Sequence, residues 1–475
     1  MELVTSLERN KKRLKEMLPI DSSFDIVGRD LYISNTEAYL LFIDGFAKDD
    51  IMLWVINELQ SLNENYHSPG NLKKWISEHI GYLEVELTKD MQKIVNSVLS
   101  GAVGLFINEH NEGIIIDART YPARGPEEPD LEKVTRGSRD GFVETIVFNT
   151  ALIRRRIRDH GLIFEMKSVG KRSKTDVVIA YIDDLVDQEL LKELKEKIDN
   201  IQVDSLVMAE KTLEELIIKK KWYNPLPQTR FTERPDVVAA HLFEGHCAVL
   251  VDTSPSVMLF PATIFHFTQH SEDYYQNPLV GTYIRWVRFL SIMFSFCLSS
   301  IWLLLVNHQA SLPEALSFIG AKEEVLIPLF IQFLILELGL DVLRIASIHT
   351  PNTLSTSLGV IGGLILGQLA VEVGWVVPET VLYMAAVGIG TFATPSIEFA
   401  MAIRIFRLVL LILTGLFDIY GFVIGLIIIT VIIFTTNTLG KIKYTWPLIP
   451  FNGKALTNLL FRKPIINIKR NERKK

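Results

Sequence analysis

The sequence predicts an α+β cytoplasmic N-terminal region, built as two α/β subdomains, followed by an all-α polytopic transmembrane bundle and a short basic tail. Three observations predict it. From Phe289 to Thr436 the chain is a nearly continuous series of apolar blocks. Before them, apolar runs of strand length alternate with stretches of helical spacing. Charge is also partitioned along the chain. Residues 289–436 carry 9 acidic and 4 basic side chains, residues 437–475 carry 10 basic and 1 acidic, and by difference residues 1–288 hold a net charge of −10. Whole-chain averages hide this, because 48% hydrophobic and 22% charged residues with a net charge of −6 would suit an ordinary soluble protein.

The chain of 475 residues has room for two or three domains. Residues 1–19 form a charged opening with Arg9, Lys11, Lys12, Arg13 and Lys15 but no apolar stretch of signal-peptide length, so the front half is expected to stay on the cytoplasmic side. Cys247 and Cys297 are the only cysteines, which excludes a disulfide framework and fits a reducing compartment.

The first subdomain is expected over residues 20–130. Leu31 to Phe46 mixes aromatic and β-branched residues with the turn signal Asp44-Gly45. Ala102–Ile107 and Ile114–Arg119, around Asn108-Glu-His-Asn-Glu-Gly113, read as a β-hairpin. Tyr121 to Asp130, with Pro122, Gly125, Pro126 and Pro129, is the best internal boundary. The second subdomain is expected over residues 138–262. Phe142 to Arg158 has helical spacing, and Leu162–Val169 and Asp176–Tyr181 read as strands around Gly170-Lys-Arg-Ser-Lys174. Asp187–Ile198 is an amphipathic helix, and Gln202–Met208 and Cys247–Val251 are further strand candidates.

Several chemical motifs fail on their physics. Gly170-Lys171-Arg172 lacks the preceding glycine and the following Ser or Thr that a phosphate-cradling loop needs. His241, Glu244 and His246 approximate an inverted zinc-protease pattern, but Gly245 stands where the second histidine is required. Arg154, Arg155 and Arg156 form a cationic run without aromatic interleaving in an acidic region, which argues against nucleic acid and for a subunit or domain contact. With no nucleophile–base pair, metal set or phosphate loop, no enzyme, metal or cofactor is expected.

Residues 265–288 form an aromatic-rich amphipathic segment suited to the headgroup layer, ending in Arg285 and Arg288. Spans are expected at about 289–306, 325–340, 354–377, 380–402, and 405–417 with 421–436, the last pair divided at Asp418-Ile-Tyr-Gly421 and returning the basic tail, 437–475, to an anionic cytoplasmic leaflet. Arg404 and Arg407 mark a cytoplasmic edge on this reading. A carboxylate near the bilayer centre costs about 2.5–3.5 kcal/mol on insertion scales, so acids inside these blocks are expected to face a bundle interior or a water-filled path. Glu372, Glu398, Glu337 and Asp341 are therefore the candidate ion path. Glu337, Asp341 and Arg344 share one helix face, and both a buried Asp341–Arg344 pair and a cluster snorkelling at a helix end satisfy that spacing. Gly359, Gly363 and Gly367 repeat every four residues and suit close helix packing within or between subunits.

Long strings in the chain carry a family resemblance. They include Glu128-Pro-Asp-Leu-Glu132, Arg136-Gly-Ser-Arg139 with Gly141-Phe-Val-Glu144, Asn149 with Leu152-Ile-Arg-Arg-Arg156, Gly170-Lys-Arg-Ser-Lys-Thr175, Thr232-Glu-Arg-Pro-Asp236, Glu272-Asp-Tyr-Tyr275, Ala315-Leu-Ser-Phe-Ile-Gly320 and Gly363-Leu-Ile-Leu-Gly-Gln368. Over nearly its whole length the sequence resembles the A subunits of the GerA-type spore germinant receptors. Asp252-Thr-Ser-Pro255 and Trp446-Pro-Leu-Ile-Pro-Phe-Asn452 look more like a paralogous branch of that family, and His246 stands where arginine is expected. The resemblance implies a multi-pass protein of the inner spore membrane with its N-terminal region facing the core. It implies a homo-oligomeric ring, a pentamer being the expected form, that acts in germination as a nutrient-gated cation channel. Receptor A subunits of this kind work with a permease-like B subunit and a lipoprotein C subunit; for this chain the expected partners are membrane lipid, a permease-like B subunit and other germination proteins. A secondary transporter, which the Pro395 break would suit, and a non-conducting membrane scaffold are the rival readings.

Overall fold

The computed structural model describes residues 2–33, 36–46, 49–60, 85–118, 132–219, 221–311, 313, 319–321, 326–349, 362–363 and 365–463. The proline-rich boundary at 121–130, Gly359 and the end of the basic tail lie outside them. The chain forms two compact units: Met1–Lys219 with Thr229–Ala262 and Leu439–Lys441, and Lys220–Gln228 with Thr263–Thr438 and Ile442–Lys475.

The first unit holds two five-stranded, wholly antiparallel sheets. In the first, α1 (Leu7–Met17) precedes β1 (Ile26–Ile33) and β2 (Thr36–Ile43); α2 (Asp49–Gln60), β3 (Val85–Thr88), α3 (Met91–Leu99), β4 (Val103–Ile107) and β5 (Gly113–Ile116) follow. In the second, α4 (Ile146–Arg156) precedes β6 (Leu162–Val169) and β7 (Thr175–Ile182). Then come α5 (Gln188–Asp199), α6 (Ala209–Ile217), β8 (Arg230–Thr232), α7 (Pro235–Phe243), β9 (Cys247–Val251) and β10 (Val257–Phe260). The spatial orders, β1-β2-β4-β5-β3 and β6-β7-β9-β10-β8, are the same topology written twice.

Local hydrogen bonding repeats with it. Asn10 accepts from the N–H of Val4 and donates to its carbonyl, and Asn149 does the same to Val143, each clasping the backbone six residues back at the start of its helix. The N–H of Leu7 meets Asn108 Oδ1 at 3.1 Å and that of Ile146 meets Asp252 Oδ1 at 3.2 Å. Glu109 and Thr253, the residues that follow, take left-handed φ values of 67° and 70°. Such a residue at φ > 0 costs energy unless its surroundings hold it, and here each N–H is tied to a carbonyl ahead of the helix, of Thr5 and Glu144 respectively. The first unit is thus an internal structural duplication.

Apolar alternation covers both faces of each sheet. In the second, α4 and α7 pack on one face through Ile153, Ile157, Val238 and Leu242, and α5 and α6 on the other through Leu190, Leu194, Leu213 and Ile217. Asp187 caps α5 by accepting from the N–H groups of Glu189 and Leu190. Two strand-level expectations change. The first hairpin closes between Ile33 and Thr36, whereas Gly45, at φ 81°, ends the pairing by turning left-handed against Val147 and Ala151. Residues 202–208 form no strand: the carbonyls of Val203 and Asp204 accept from Lys171 and Arg172, so this stretch braces the β6–β7 turn rather than a ladder.

The second unit is helical: α8 (Pro278–Asn307), α9 (Leu329–His349), α10 (Pro378–Phe392), α11 (Ile397–Thr435) and α12 (Gly453–Leu460). By length and composition α8 and α11 can each cross a membrane. Helix α8 begins well inside the expected interfacial segment, because Asn277 caps it and Pro278 is pre-set for the first helical position. Helix α9 follows Pro328 and carries Asp341 and Arg344 inside it rather than ending at residue 340. The expected division into 380–402 and 405–417 shifts to a break at residues 393–396. Pro395 disfavours helix in the residue before it, and Ser396 starts a new helix by accepting from the N–H of Phe399.

Helix α11 is two arms. At Asp418 the backbone leaves the helical region (φ 53°, ψ −134°) and the chain reverses. A Cβ on Gly425 would sit 3.6 Å from Cα of Leu410, residues that a continuous helix would hold roughly 22 Å apart. Gly421 passes so close to the carbonyl of Leu413 that no side chain fits there. Asp418 lies beside Asn307 and His308 at the end of α8, so the first arm, 397–417, runs parallel to α8. Helix α10 runs antiparallel to it, with Tyr383 against Trp302 and Gly390 against Ser291.

Candidate functional site

The described acids of the helical unit meet very different surroundings. Glu337, midway along α9, is 2% exposed. Its carboxylate accepts from Arg404 Nε at 3.0 Å and from Arg407 Nη2, and its backbone carbonyl accepts from Arg404 Nη2 at 3.1 Å. Arg404 also pairs with Asp341, which is partly exposed. Arg407 continues into α8, donating to the carbonyl of Ser295 at 2.7 Å and to its hydroxyl at 3.0 Å, while Thr391 of α10 lies 2.9 Å from that hydroxyl. Four helical segments are therefore tied into one network, α9 and α11 through the Glu337 carboxylate and α8 and α10 through Arg407. Two acids and two guanidiniums balance in formal charge, which is what makes their burial tolerable.

Arg404 and Arg407 are therefore not an edge marker. They lie three residues apart, the spacing that shares one helix face, and that face turns inward. Apolar residues flank them on both sides, Phe399 to Ile403 before and Leu408 to Leu413 after, which is the sequence signal that could have placed them mid-helix. Arg344 contacts Met401, and Arg404 pairs with Asp341.

Nearby, Gln332 of α9 is 1% exposed and accepts from the N–H of Val377 at 2.9 Å and the hydroxyl of Thr380 at 3.0 Å, locking α9 to the start of α10. Glu372 and Glu398 are exposed. Glu372 accepts from Gln368 one turn earlier, and Glu398 accepts from Ser396 in the first turn of α11, where a carboxylate favours the positive end of the helix dipole. The glycines divide similarly. Among the described residues, a Cβ on Gly363 would meet nothing within 4 Å and one on Gly367 only Val381 at 3.7 Å, whereas one on Gly390 would lie 2.5 Å from the carbonyl of Ser291. Gly390, Gly415 and Gly421 are, among the described residues, positions of close packing within the chain.

At the foot of α8, Arg285 and Arg288 are buried rather than set in a headgroup layer. Asp273, itself buried, takes a bidentate pair from Arg288 at 2.8 Å and a contact from Arg285 at 3.3 Å. Arg285 also donates to the carbonyls of Asn458 and Leu459, closing the C-terminal end of α12. Gly281 is required here, since a Cβ would lie 2.4 Å from the carbonyl of Asp273.

In the first unit, Arg154 is fully buried. It forms a two-point pair with Asp25 at 2.8 and 3.1 Å and donates to the carbonyls of Asp159 and Leu162, which joins the two subdomains of one chain. Arg156 donates to Asp140 and Ser138, and Arg234 donates to the carbonyls of Glu132 and Ser138 and to Asp236. Burial would raise the Asp140 pKa, but the Arg156 and Ser138 hydrogen bonds outweigh it and hold the carboxyl below its ordinary value. Arg155 is exposed. His241 and His246 stack edge to face at 5.0 Å and bond to backbone carbonyls. Among the described residues no group of three or more His, Cys, Asp or Glu side chains gathers around a metal-sized site.

Comparison with known proteins agrees across the whole length. The family described as Bacillus/Clostridium GerA spore germination protein matches residues 12–474. Stage V sporulation protein AF of Bacillus subtilis (strain 168) is 44% identical over 454 residues, covering 96% of this chain and 92% of that one. YfkQ, described as an uncharacterized membrane protein of the same organism, is 31% identical over 484 residues, 98% of this chain and 92% of its own. Among solved structures, the N-terminal domain of the A subunit of the Bacillus megaterium spore germinant receptor GerK3 is 26% identical, with a TM-score of 0.43, and covers 55% of this chain and 96% of that one. The chain belongs to the GerA family of Bacillus/Clostridium spore germination proteins.

Proposed function

We propose that this protein is a non-enzymatic, multi-pass subunit of the spore germination machinery. It sits in the inner spore membrane with its N-terminal region on the core side and assembles as a homo-oligomeric ring, with a pentamer as the expected form. The ring conducts cations outward during germination. Membrane lipid and a permease-like B subunit are its expected partners. The observation that carries this reading is the contrast between acids paired with arginines and acids that meet only neutral donors among the described residues. Glu337 and Asp341 are matched by Arg404 and Arg407 within one chain. Glu372, Glu398 and the face around Gly363 are left open. Exposed apolar faces, and carboxylates that meet only neutral donors among the described residues, are what a ring would bring to its contacts and its axis, where acidic rings favour cations.

Glu337 and Asp341 then act as a staple rather than as ion ligands. Glu372→Gln and Glu398→Gln should each reduce cation current through the reconstituted protein, and unchanged currents in both would remove them from the path. The transporter reading loses its specific support, because the Pro395 break joins two antiparallel segments instead of interrupting one helix.

A further inference from the structure

The sequence Lys219-Lys-Lys-Trp-Tyr223 lies outside every apolar block, yet residues 220–228 fold with the helical unit. Trp222 is 96% exposed and Tyr223 about half exposed, the two rings standing edge to face at 6.0 Å. Lys221 lies over the Tyr223 ring at 5.8 Å. This exposure is not that of a loose loop. Asn224 donates to the hydroxyl of Thr436 at 2.9 Å, Thr436 donates in turn to the carbonyl of Ile432 at the end of the return arm of α11, and Leu226 is buried. Trp222 is two residues, at most about 7 Å of chain, from that anchor. The return arm is itself apolar and exposed down to this point, through Val431 and Phe434.

We propose that Trp222 and Tyr223, with Lys221 beside them, form an anchor in the anionic phospholipid headgroup layer at the end of the α11 hairpin. The chemistry matches that layer: amphipathic rings settle at the boundary of hydrocarbon and headgroups, and ammonium groups stay in the phosphate plane above them. A wholly exposed tryptophan fixed in water would gain nothing from being held there. In the interface it extends the apolar surface of the return arm and sets how far the hairpin sinks. The inference rests on the membrane-spanning reading.

The test uses the full chain reconstituted in vesicles of phosphatidylcholine with phosphatidylglycerol, and in phosphatidylcholine alone. The Trp222 contribution is the fluorescence that Trp222→Phe removes. Phosphatidylcholine brominated near the headgroup should quench that contribution and aqueous iodide should spare it. Lys221→Glu should weaken the shallow quenching in the anionic vesicles. Quenching by iodide and not by brominated lipid would overturn the anchor. Shielding of Trp222 from both quenchers would assign the loop to a second copy of the chain and overturn it equally. Trp302, buried inside the helical unit, marks insertion separately: if lipid brominated deep in the acyl chains fails to quench the protein and alkaline carbonate releases it, the membrane reading itself falls.

Discussion

Replacing Glu337 by glutamine is the most informative perturbation of this protein. The carboxylate sits 3.0 Å from Arg404 Nε and also binds Arg407, so at an effective dielectric constant of about 20 each contact is worth about 5 kcal/mol of Coulomb energy before desolvation is charged against it. What an experiment reads is smaller. Removing one member of a buried ion pair costs about 3–5 kcal/mol, mostly because the partner charge is left uncompensated. Arg404 would keep Asp341, but Arg407 would keep only neutral acceptors at Ser295 and Thr391. A loss of about 3–5 kcal/mol is comparable to the whole stability of many domains, about 5–15 kcal/mol. Glu337→Gln should therefore lower the unfolding midpoint of the detergent-solubilised protein sharply. Adding Arg407→Leu should recover part of the loss, with a coupling of at least about 1 kcal/mol in the double-mutant cycle. Thermal unfolding of the four proteins, with cation flux measured in parallel, is the assay. A Glu337→Gln protein as stable as the parent but without flux would refute the staple and return Glu337 to the ion path.

Three other perturbations test neighbouring features. Gly390→Ala places a methyl carbon 2.5 Å from a backbone oxygen of α8, so it should destabilise the helical unit by about 1–3 kcal/mol, whereas Gly363→Ala should leave the unfolding of the single chain unchanged. Equal midpoints for the two variants would contradict the packing described. Because the folded Asp140 pKa is depressed, its pairing with Arg156 stabilises above the ordinary carboxyl value of 3.8 and is lost as pH falls through the folded value. Asp140→Asn should thus lower stability at neutral pH and shrink the difference from the parent below that value; a constant difference down the acid limb would disprove the pairing. Burial pushes the Cys247 thiol up to about 12, so a maleimide should label it at mildly alkaline pH only after unfolding. Labelling in the native protein would show the second sheet's core to be open.

The strands β6 and β7, the amphipathic helix that begins at Asp187 and the β4–β5 pairing were legible because each depends on neighbours within a few residues. The duplication was not. Its two copies share topology and a handful of hydrogen bonds, such as the Asn10 and Asn149 clasps, but few residue identities, and a hydrogen bond from Leu7 to Asn108 leaves no local periodicity. Which glycines pack closely within the chain was hidden for a related reason. A four-residue spacing fixes which glycines share a face, while which face meets a neighbour depends on helices far away in sequence, and here Gly390 rather than Gly363 meets one.

By itself the sequence determined the partition: an acidic α/β region, an apolar helical region with carboxylates sunk in it, and a basic end. Those follow from composition and short-range periodicity, which act within a turn or a strand. Only the tertiary structure decided the fate of the carboxylates. Arg404 and Arg407 lie 67 and 70 residues from Glu337 along the chain and meet it only because helix packing turns their face inward, and buried charge is tolerated only where such partners arrive together.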